Sequence, residues 1–308
     1  MCNIKIIENG IYLPKKQVKN NELEKYLNLE NGYIEKRTGI KQRYYSIEES
    51  IEDMALNAVN NIKNILKEKD SIGLIITATT STDKIMPGIS NYIQKKLDIK
   101  SCICLDILAG CSGYINAFDI AKLYITSGKV DKALVIGVDK LSQVIDKDDI
   151  GTAIVLSDGA GATLLGKIDE EKEYKVNITA TGKGNEILTY NYGENLYMNG
   201  KEVYKYAVTK TIENIKELLK NSNLKLEDIK YIIPHQSNLK IIKSIASRLH
   251  IELNKMYIDI ENNGNTFCAS IPIALYDINK ENLIQKGDKI IFLGYGGGLN
   301  TGSILIEF

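Results

Sequence analysis

Residues 104–128 read CLDILAGCSGYINAFDIAKLYITSG, which predicts a strand, a turn of small residues and an amphipathic helix in direct succession. Cys111 stands in the turn, just before the helix. Its small neighbours Ala109, Gly110 and Gly113 let the backbone bend sharply and let a substrate approach. A helix N-terminus presents unpaired N–H groups, so we expect a lowered pKa and a nucleophilic thiolate. Taken alone, a buried core cysteine is the commoner interpretation.

The same unit recurs in the second half of the chain. The segment NIKNILK begins at residue 61 and NIKELLK begins at residue 214, an offset of 153. The strand CLDI (104–107) is echoed by YIDI (257–260) with the same offset, which makes Asp106 and Asp259 equivalent. One duplication of this size indicates two similar α/β units rather than a solenoid.

Hydrophobic periodicity gives both halves the same order of elements. It predicts helices at 51–66, 89–97, 211–220 and 238–249, and strands at 72–77, 133–137, 229–234 and 290–294. Each half ends on a glycine-rich turn and a last strand, at 157–166 and 294–308, and GAGATL (159–164) is predicted to be a tight hairpin. The expected organisation is two α/β halves, 1–168 and 169–308, with sites at the carboxyl ends of the strands.

Composition excludes several classes of protein. Lys and Arg together number 39, as do Asp and Glu, so no net field attracts nucleic acid or an anionic membrane. The beginning MCNIKIIENGIYLP has no basic segment followed by a long apolar run, which favours a cytoplasmic protein. Five cysteines without CxxC spacing argue against a disulfide framework or a zinc ribbon, and we expect reduced thiols.

Two further polar residues follow predicted strands of the second half. His235 lies in IIPHQSN (232–238), and Asn265 lies one position beyond the residue equivalent to Cys111. A pseudo-twofold relation between the halves would bring all three to one crevice. Alone, His235 could cap a helix or sit on the surface, and Asn265 could serve only a turn with positive φ. His250, at the end of the following helix, is interpreted as structural.

These residues lie in motifs that resemble the β-ketoacyl-acyl carrier protein synthase III family, within the thiolase superfamily, across essentially the whole chain. The matching segments are EKRTGIKQR (35–43), DILAGCSGYINAF (106–118), SDGAGATLLG (157–166), YMNGKEVYKYAV (197–208), IIPHQSNLKII (232–242), GNTFCASIPIAL (264–275) and GYGGGLNTGSILIEF (294–308). The resemblance implies an acyltransferase with a thiolase-like fold, its two duplicated α/β halves packed in αβαβα layers.

The resemblance also implies the chemistry. Cys111 would attack an acyl thioester and carry the acyl group, with the N–H groups of Cys111 and Gly297 as the oxyanion hole. His235 and Asn265 would bind the carbonyl of a malonyl thioester, promote its decarboxylation and stabilise the resulting enolate. This is a decarboxylative Claisen condensation, in fatty acid initiation or a polyketide-like pathway. The substrates would be thioesters of coenzyme A or phosphopantetheine, with no metal or redox cofactor.

Residues at the entrance follow the family only in part. Arg37 matches a residue that contacts coenzyme A, and Asn238 is assigned to substrate binding. Tyr33 stands where an adenine-stacking Trp is familiar, and Ile150 stands where an Arg often completes the sandwich. The donor is therefore open between acyl-CoA and acyl carrier protein, and one hypothesis is that acyl carrier protein is preferred, with Lys240 and Arg248 as its contacts.

Met86 matches the position from which the partner subunit closes the family's acyl pocket. A flexible Met can fit bulky or long acyl groups, so the resemblance predicts a homodimer whose primer is not plain acetyl. Two alternatives remain at this point. The chain could acylate an amine or alcohol without a malonyl donor, or it could be a non-catalytic subunit of a heterodimer.

Overall fold

Strands and helices alternate along the chain, and the computed structural model describes residues 2–184 and 186–308 of it. The strands are β1 Cys2–Tyr12, β2 Lys16–Lys19, β3 Gln42–Tyr45, β4 Ile72–Ala78, β5 Ile103–Ile107, β6 Lys132–Asp139, β7 Gly159–Lys172, β8 Tyr174–Ala180, β9 Leu188–Thr189, β10 Tyr197–Met198, β11 Tyr231–Pro234, β12 Lys289–Gly296 and β13 Asn300–Glu307. The helices are α1 Asn20–Tyr26, α2 Tyr33–Thr38, α3 Ile51–Asn60, α4 Ile65–Glu68, α5 Ile89–Lys96, α6 Gly113–Thr126, α7 Ile150–Ala153, α8 Gly200–Ser222, α9 Leu239–Leu249, α10 Ile260–Asn263 and α11 Ser270–Lys280.

The two main sheets share one topology. The first has the order β1-β7-β6-β4-β5, and the second has the order β11-β12-β13-β8. In the first sheet β5, β4 and β6 are parallel, and in the second β11 and β12 are parallel. In each sheet two antiparallel strands follow on one side, β7 and β1 in the first and β13 and β8 in the second. A single parallel bridge between Ile232 and Met256 adds a fifth chain segment to the second sheet. The duplication predicted from the offset is therefore confirmed in the strand order.

The two sheets are separated by a central helical layer and covered by helices outside. Helices α6 and α11 pack between the sheets, α3 and α5 cover the first sheet, and α8 and α9 cover the second. In the middle, Tyr114 and Phe118 meet Phe292 with ring centroids 6.5 and 5.5 Å apart. This arrangement is the expected αβαβα layering, in which apolar strands are buried on both faces.

Three sequence predictions were wrong in detail. YIDI (257–260) forms no strand, because the side-chain oxygen of Gln236 takes the N–H groups of Asp259 and Ile260 and the chain turns into α10. The helix predicted at 51–66 ends at Asn60, and residues 65 and 66 belong to the separate short helix α4, which follows Asn64 with its left-handed φ of 63°.

The third concerns GAGATL (159–164), which is the beginning of strand β7 rather than a hairpin. Its small residues let α11 approach the sheet, since a Cβ on Gly161 would lie 2.7 Å from Cβ of Pro272. The predicted division between 168 and 169 stays a prediction. Strand β7 passes that point and ends at Lys172, and the two halves share the central core.

Candidate active site

Cys111 lies in a tight turn where two glycine-containing loops meet. The 3₁₀ turn Gly110–Ser112 connects the end of β5 to α6, and Gly110 has φ of 56°, which favours glycine. A Cβ on Gly110 would lie 2.8 Å from the nitrogen of Gly297, and one on Gly296 would lie 2.7 Å from Cβ of Cys111. Only glycine permits this approach, which brings the loop after β12 against the cysteine.

The Cys111 thiol is buried, with 4% of the residue exposed. Burial raises the pKa of the thiol, and the nearby carboxylate of Asp139 raises it further, while the N–H groups of Gly297 and Cys111 act in the opposite direction. The N–H groups at the helix N-terminus act in the expected direction, but the loss of hydration outweighs them. The resting thiol is protonated, and the two N–H groups sit where an oxyanion hole is predicted.

Asp139, at the carboxyl end of β6, is a buried residue that the sequence did not reveal as part of the site. Its carboxylate accepts the N–H groups of Thr80, Ser81 and Cys268 at 2.7, 3.0 and 2.9 Å. Burial raises the pKa of Asp139 to about 6 despite these bonds. Through its three hydrogen bonds, Asp139 connects the loop after β4 to the turn that follows Asn265. The position at a strand end was the available signal.

His235 follows β11 and is held by one backbone and one side-chain hydrogen bond. Its N–H donates to the carbonyl of Leu293 at 2.7 Å, and its Nδ1 lies 2.7 Å from Oγ of Ser270. The ring packs edge-on against Tyr295, with centroids 5.3 Å apart. Burial alone lowers the pKa of His235 to about 3. The imidazole is therefore neutral across the physiological range.

Asn265 lies in the turn between α10 and α11 and is fixed by its own backbone. Its N–H donates to Val155 at 3.1 Å, and its carbonyl accepts from Ser157 at 2.9 Å. The side-chain Oδ1 accepts the N–H of Phe267 at 3.1 Å. This bond orients the amide so that Nδ2 remains a donor for a ligand.

One cavity of about 90 Å³ collects the predicted residues. Cys111, His235 and Asn265 all line it, and so does Asn238, which caps α9 by accepting the N–H of Lys240 at 2.9 Å. The structure therefore brings together the three polar residues that the pseudo-twofold relation placed in one crevice. Their chemical roles stay predictions.

An apolar cluster surrounds Cys111 and was not identified from the sequence. Its buried members beside the cysteine are Leu141, Val144, Ile145, Leu156, Leu196 and Phe267. They come from separate loops and short elements, so no periodicity in the local sequence could predict that they form one cluster. Such a surface can take a hydrocarbon tail attached at the sulfur.

Apart from Asn238, the residues predicted for the entrance lie outside this cavity. Tyr33 is half-buried in α2, and the guanidinium of Arg37 lies 5.4 Å from its ring centroid. Ile150 is exposed at the start of α7. Lys240 is exposed in the first turn of α9, near the cavity, whereas Arg248 lies about 12 Å further along that helix.

Met86 lies on the loop between β4 and α5 and is 83% exposed. It does not line the cavity of its own chain. Among residues 2–184 and 186–308, no group of three His, Cys, Asp or Glu side chains is placed to hold a metal ion. No helix in the same ranges is long and apolar enough to cross a membrane.

Known proteins match this chain over its full length. The model of 3-oxoacyl-[acyl-carrier-protein] synthase III matches residues 105–183, and the model of that family's C-terminal part matches residues 219–308. The β-ketoacyl-[acyl-carrier-protein] synthase III of Clostridium acetobutylicum is 36% identical over 323 residues, which cover 100% of this chain and 99% of the relative.

Solved structures agree with this. The 3-oxoacyl-[acyl-carrier-protein] synthase III of Aquifex aeolicus has a TM-score of 0.96 and 37% identity, over 99% of this chain and 100% of that one. A priming β-ketosynthase from a polyketide biosynthetic pathway has a TM-score of 0.93 and 26% identity, over 99% and 96%. With the site geometry and the collinear motifs, these matches show that the chain belongs to the 3-oxoacyl-(acyl carrier protein) synthase III family of acyltransferases.

Proposed function

We propose that this enzyme joins an acyl thioester to malonyl-acyl carrier protein by decarboxylative Claisen condensation, the step that initiates fatty acid synthesis. One observation carries the proposal. Cys111, His235 and Asn265, from distant parts of the chain, line a single buried cavity that adjoins an apolar cluster. A nucleophile, two neutral donors and a place for a hydrocarbon chain are what this reaction needs.

The first half of the reaction loads the enzyme. The sulfur of Cys111 attacks the thioester carbonyl, and the thiol loses one proton, which is balanced by the proton that the leaving thiolate takes up. The oxyanion that forms accepts hydrogen bonds from the N–H groups of Cys111 and Gly297. Collapse of this intermediate breaks the old carbon–sulfur bond, and the leaving thiolate takes up a proton. The acyl chain then lies along the apolar cluster.

The second half forms the carbon–carbon bond. The malonyl thioester carbonyl accepts hydrogen bonds from Nε2 of His235 and Nδ2 of Asn265. The bond between the α-carbon and the carboxylate breaks and carbon dioxide leaves. The electron pair of that bond stays with the α-carbon and forms the enolate. The enolate carbon attacks the acyl-Cys111 carbonyl, and the Cys111 sulfur leaves and is reprotonated. A neutral imidazole suits this step, because it stabilises the enolate oxygen without readily protonating the carbon.

The carrier of the acyl group is proposed to be acyl carrier protein in preference to coenzyme A. The tyrosine at 33 already packs with Arg37, and Ile150 offers no charge to a nucleotide. Lys240 stands near the cavity as a cation for an acidic carrier, with Arg248 as a more distant contact. The reaction calls for no metal or redox cofactor, and we place it in the cytoplasm, where such carriers work.

A homodimer is proposed from an apolar edge of the first sheet. Strand β5 is the outer strand of that sheet. Ile85, Met86 and Leu108 are 89%, 83% and 75% exposed on the loops that follow β4 and β5, and Ile103 on β5 is 38% exposed. Exposed apolar patches of this kind favour association, and a second copy would put Met86 at the partner's acyl pocket.

The acyl-enzyme is the first testable consequence. Wild type and Cys111→Ala are exposed to a panel of acyl groups on coenzyme A and on acyl carrier protein, and intact masses are measured. An acyl mass is expected on the wild type alone, from carrier protein more than from coenzyme A, with a group larger than acetyl preferred. Absence of any adduct would remove the support for Cys111 and favour the non-catalytic alternative.

The protonated thiol predicts a steep pH dependence of Cys111 alkylation. Because its pKa lies well above the working range, the thiolate fraction and the rate with iodoacetamide should rise about tenfold per pH unit from pH 6 to 9. The rate is read on the peptide that contains Cys111, since half-buried Cys102 and Cys104 also react. A plateau below pH 8 would show a thiolate already formed and would contradict this account.

The dimer is tested at its apolar edge. Wild type should sediment at about twice the 34.4 kDa of one chain, and Leu108→Glu should shift it toward the monomer. Leu66→Glu is the matched control, since Leu66 is 68% exposed on α4, away from these loops. A monomeric wild type, or equal effects of both substitutions, would argue against the proposed interface.

A further inference from the structure

We propose that Ser270 is a positioning residue that holds His235 in the tautomer with its proton on Nε2. The inference rests on the proposed function, because that tautomer is the one that can donate to the malonyl thioester carbonyl. Ser270 opens helix α11 and is 2% exposed, and its Oγ lies 2.7 Å from Nδ1 of His235. Nε2 is thereby left as the ring nitrogen available to a ligand.

The direction of this hydrogen bond follows from burial. Within the described residues, the Ser270 hydroxyl has one hydrogen-bond partner, Nδ1 of His235. If Nδ1–H donated to the serine, the hydroxyl hydrogen would be left buried without an acceptor, which costs more than a normal hydrogen bond contributes. Donation from the hydroxyl to Nδ1 satisfies both groups. A neutral imidazole that accepts at Nδ1 carries its proton on Nε2.

A hydroxyl differs here from the carboxylate of a hydrolase triad. A carboxylate only accepts, so it keeps a proton on Nδ1 and raises the basicity of the ring, which makes Nε2 a base. A serine donor instead makes Nε2–H a hydrogen-bond donor, and it agrees with the lowered pKa of His235. The contacts of Tyr295 and Phe267, with centroids 5.3 and 6.5 Å from the ring, restrain its rotation.

Nitrogen-15 NMR of histidine-labelled protein tests the tautomer without any substrate. The chain has two histidines, and His250→Asn leaves His235 as the one labelled imidazole. His250 has φ of 56°, a conformation that Asn tolerates, so this background should fold. The expected spectrum shows a protonated Nε2 and an unprotonated Nδ1, and Ser270→Ala should give a mixture of tautomers. A proton on Nδ1 in the background protein would overturn the proposal.

Kinetics of the two half-reactions supply a second readout. Ser270→Ala should slow carbon dioxide release from malonyl-acyl carrier protein by about ten- to hundredfold, and should leave acyl loading of Cys111 within about threefold. Ser270→Cys should recover part of the loss. The control is Ser303→Ala, which removes another buried hydroxyl, one bonded to Asn214 in the second half.

The outcomes separate this proposal from the function on which it rests. Decarboxylation by Ser270→Ala at the wild-type rate, or equal losses in both half-reactions, would refute the positioning role. If the Nε2–H tautomer is lost in Ser270→Ala but the wild type releases no carbon dioxide, the result would support the role of Ser270 and refute the proposed condensation. The NMR test is made first on protein that keeps Ser270. It therefore remains possible even if the Ser270 variants fail to fold.

Discussion

The contact between two glycine backbones holds this site together. Gly110 belongs to the first half of the chain and Gly297 to the second, and a single Cβ on Gly110 would press to 2.8 Å from the nitrogen of Gly297. This approach puts the Gly297 N–H on the sulfur of Cys111. The aromatic packing of Phe118 on Phe292 lies behind it and joins the halves rigidly. The duplicated fold thus supplies one N–H group of the proposed oxyanion hole from each half.

Burial sets the electrostatic state of the site. It keeps the Cys111 thiol protonated and His235 neutral, and Asp139 opposes a thiolate further. The resting site therefore has no strong ion pair between cysteine and histidine. In the proposed reaction, charge develops on substrate oxygens during both half-reactions, and the N–H donors of the site are proposed to face those positions. A site of this kind stabilises oxyanions rather than storing a reactive thiolate.

Much of this architecture could be predicted from the sequence. The offset of 153 residues predicted two similar α/β halves, and the family resemblance implied their layering. The ends of predicted strands indicated Cys111 and His235, and the offset from Cys111 indicated Asn265. The strand at 257–260 failed because a side chain, Gln236, satisfied its N–H groups, which no periodicity records.

Other features depend on contacts between distant residues. The net pKa of Cys111 could not be predicted, because the local sequence shows a helix start but not the depth of burial. The apolar cluster around the sulfur, and Ser270 behind the histidine, were invisible for the same reason: their members meet only after folding. Residue types at strand ends predict which groups meet, whereas their protonation requires coordinates.

The central claim is that acyl transfer here is coupled to loss of a carboxylate. The most direct measurement quantifies carbon dioxide and β-ketoacyl product together, from acyl thioester and malonyl-acyl carrier protein, in wild type and in His235→Ala. The wild type should release one carbon dioxide per product, and the variant should lose both while acyl-Cys111 still forms. Transfer of the acyl group to an amine or alcohol, without carbon dioxide, would contradict it.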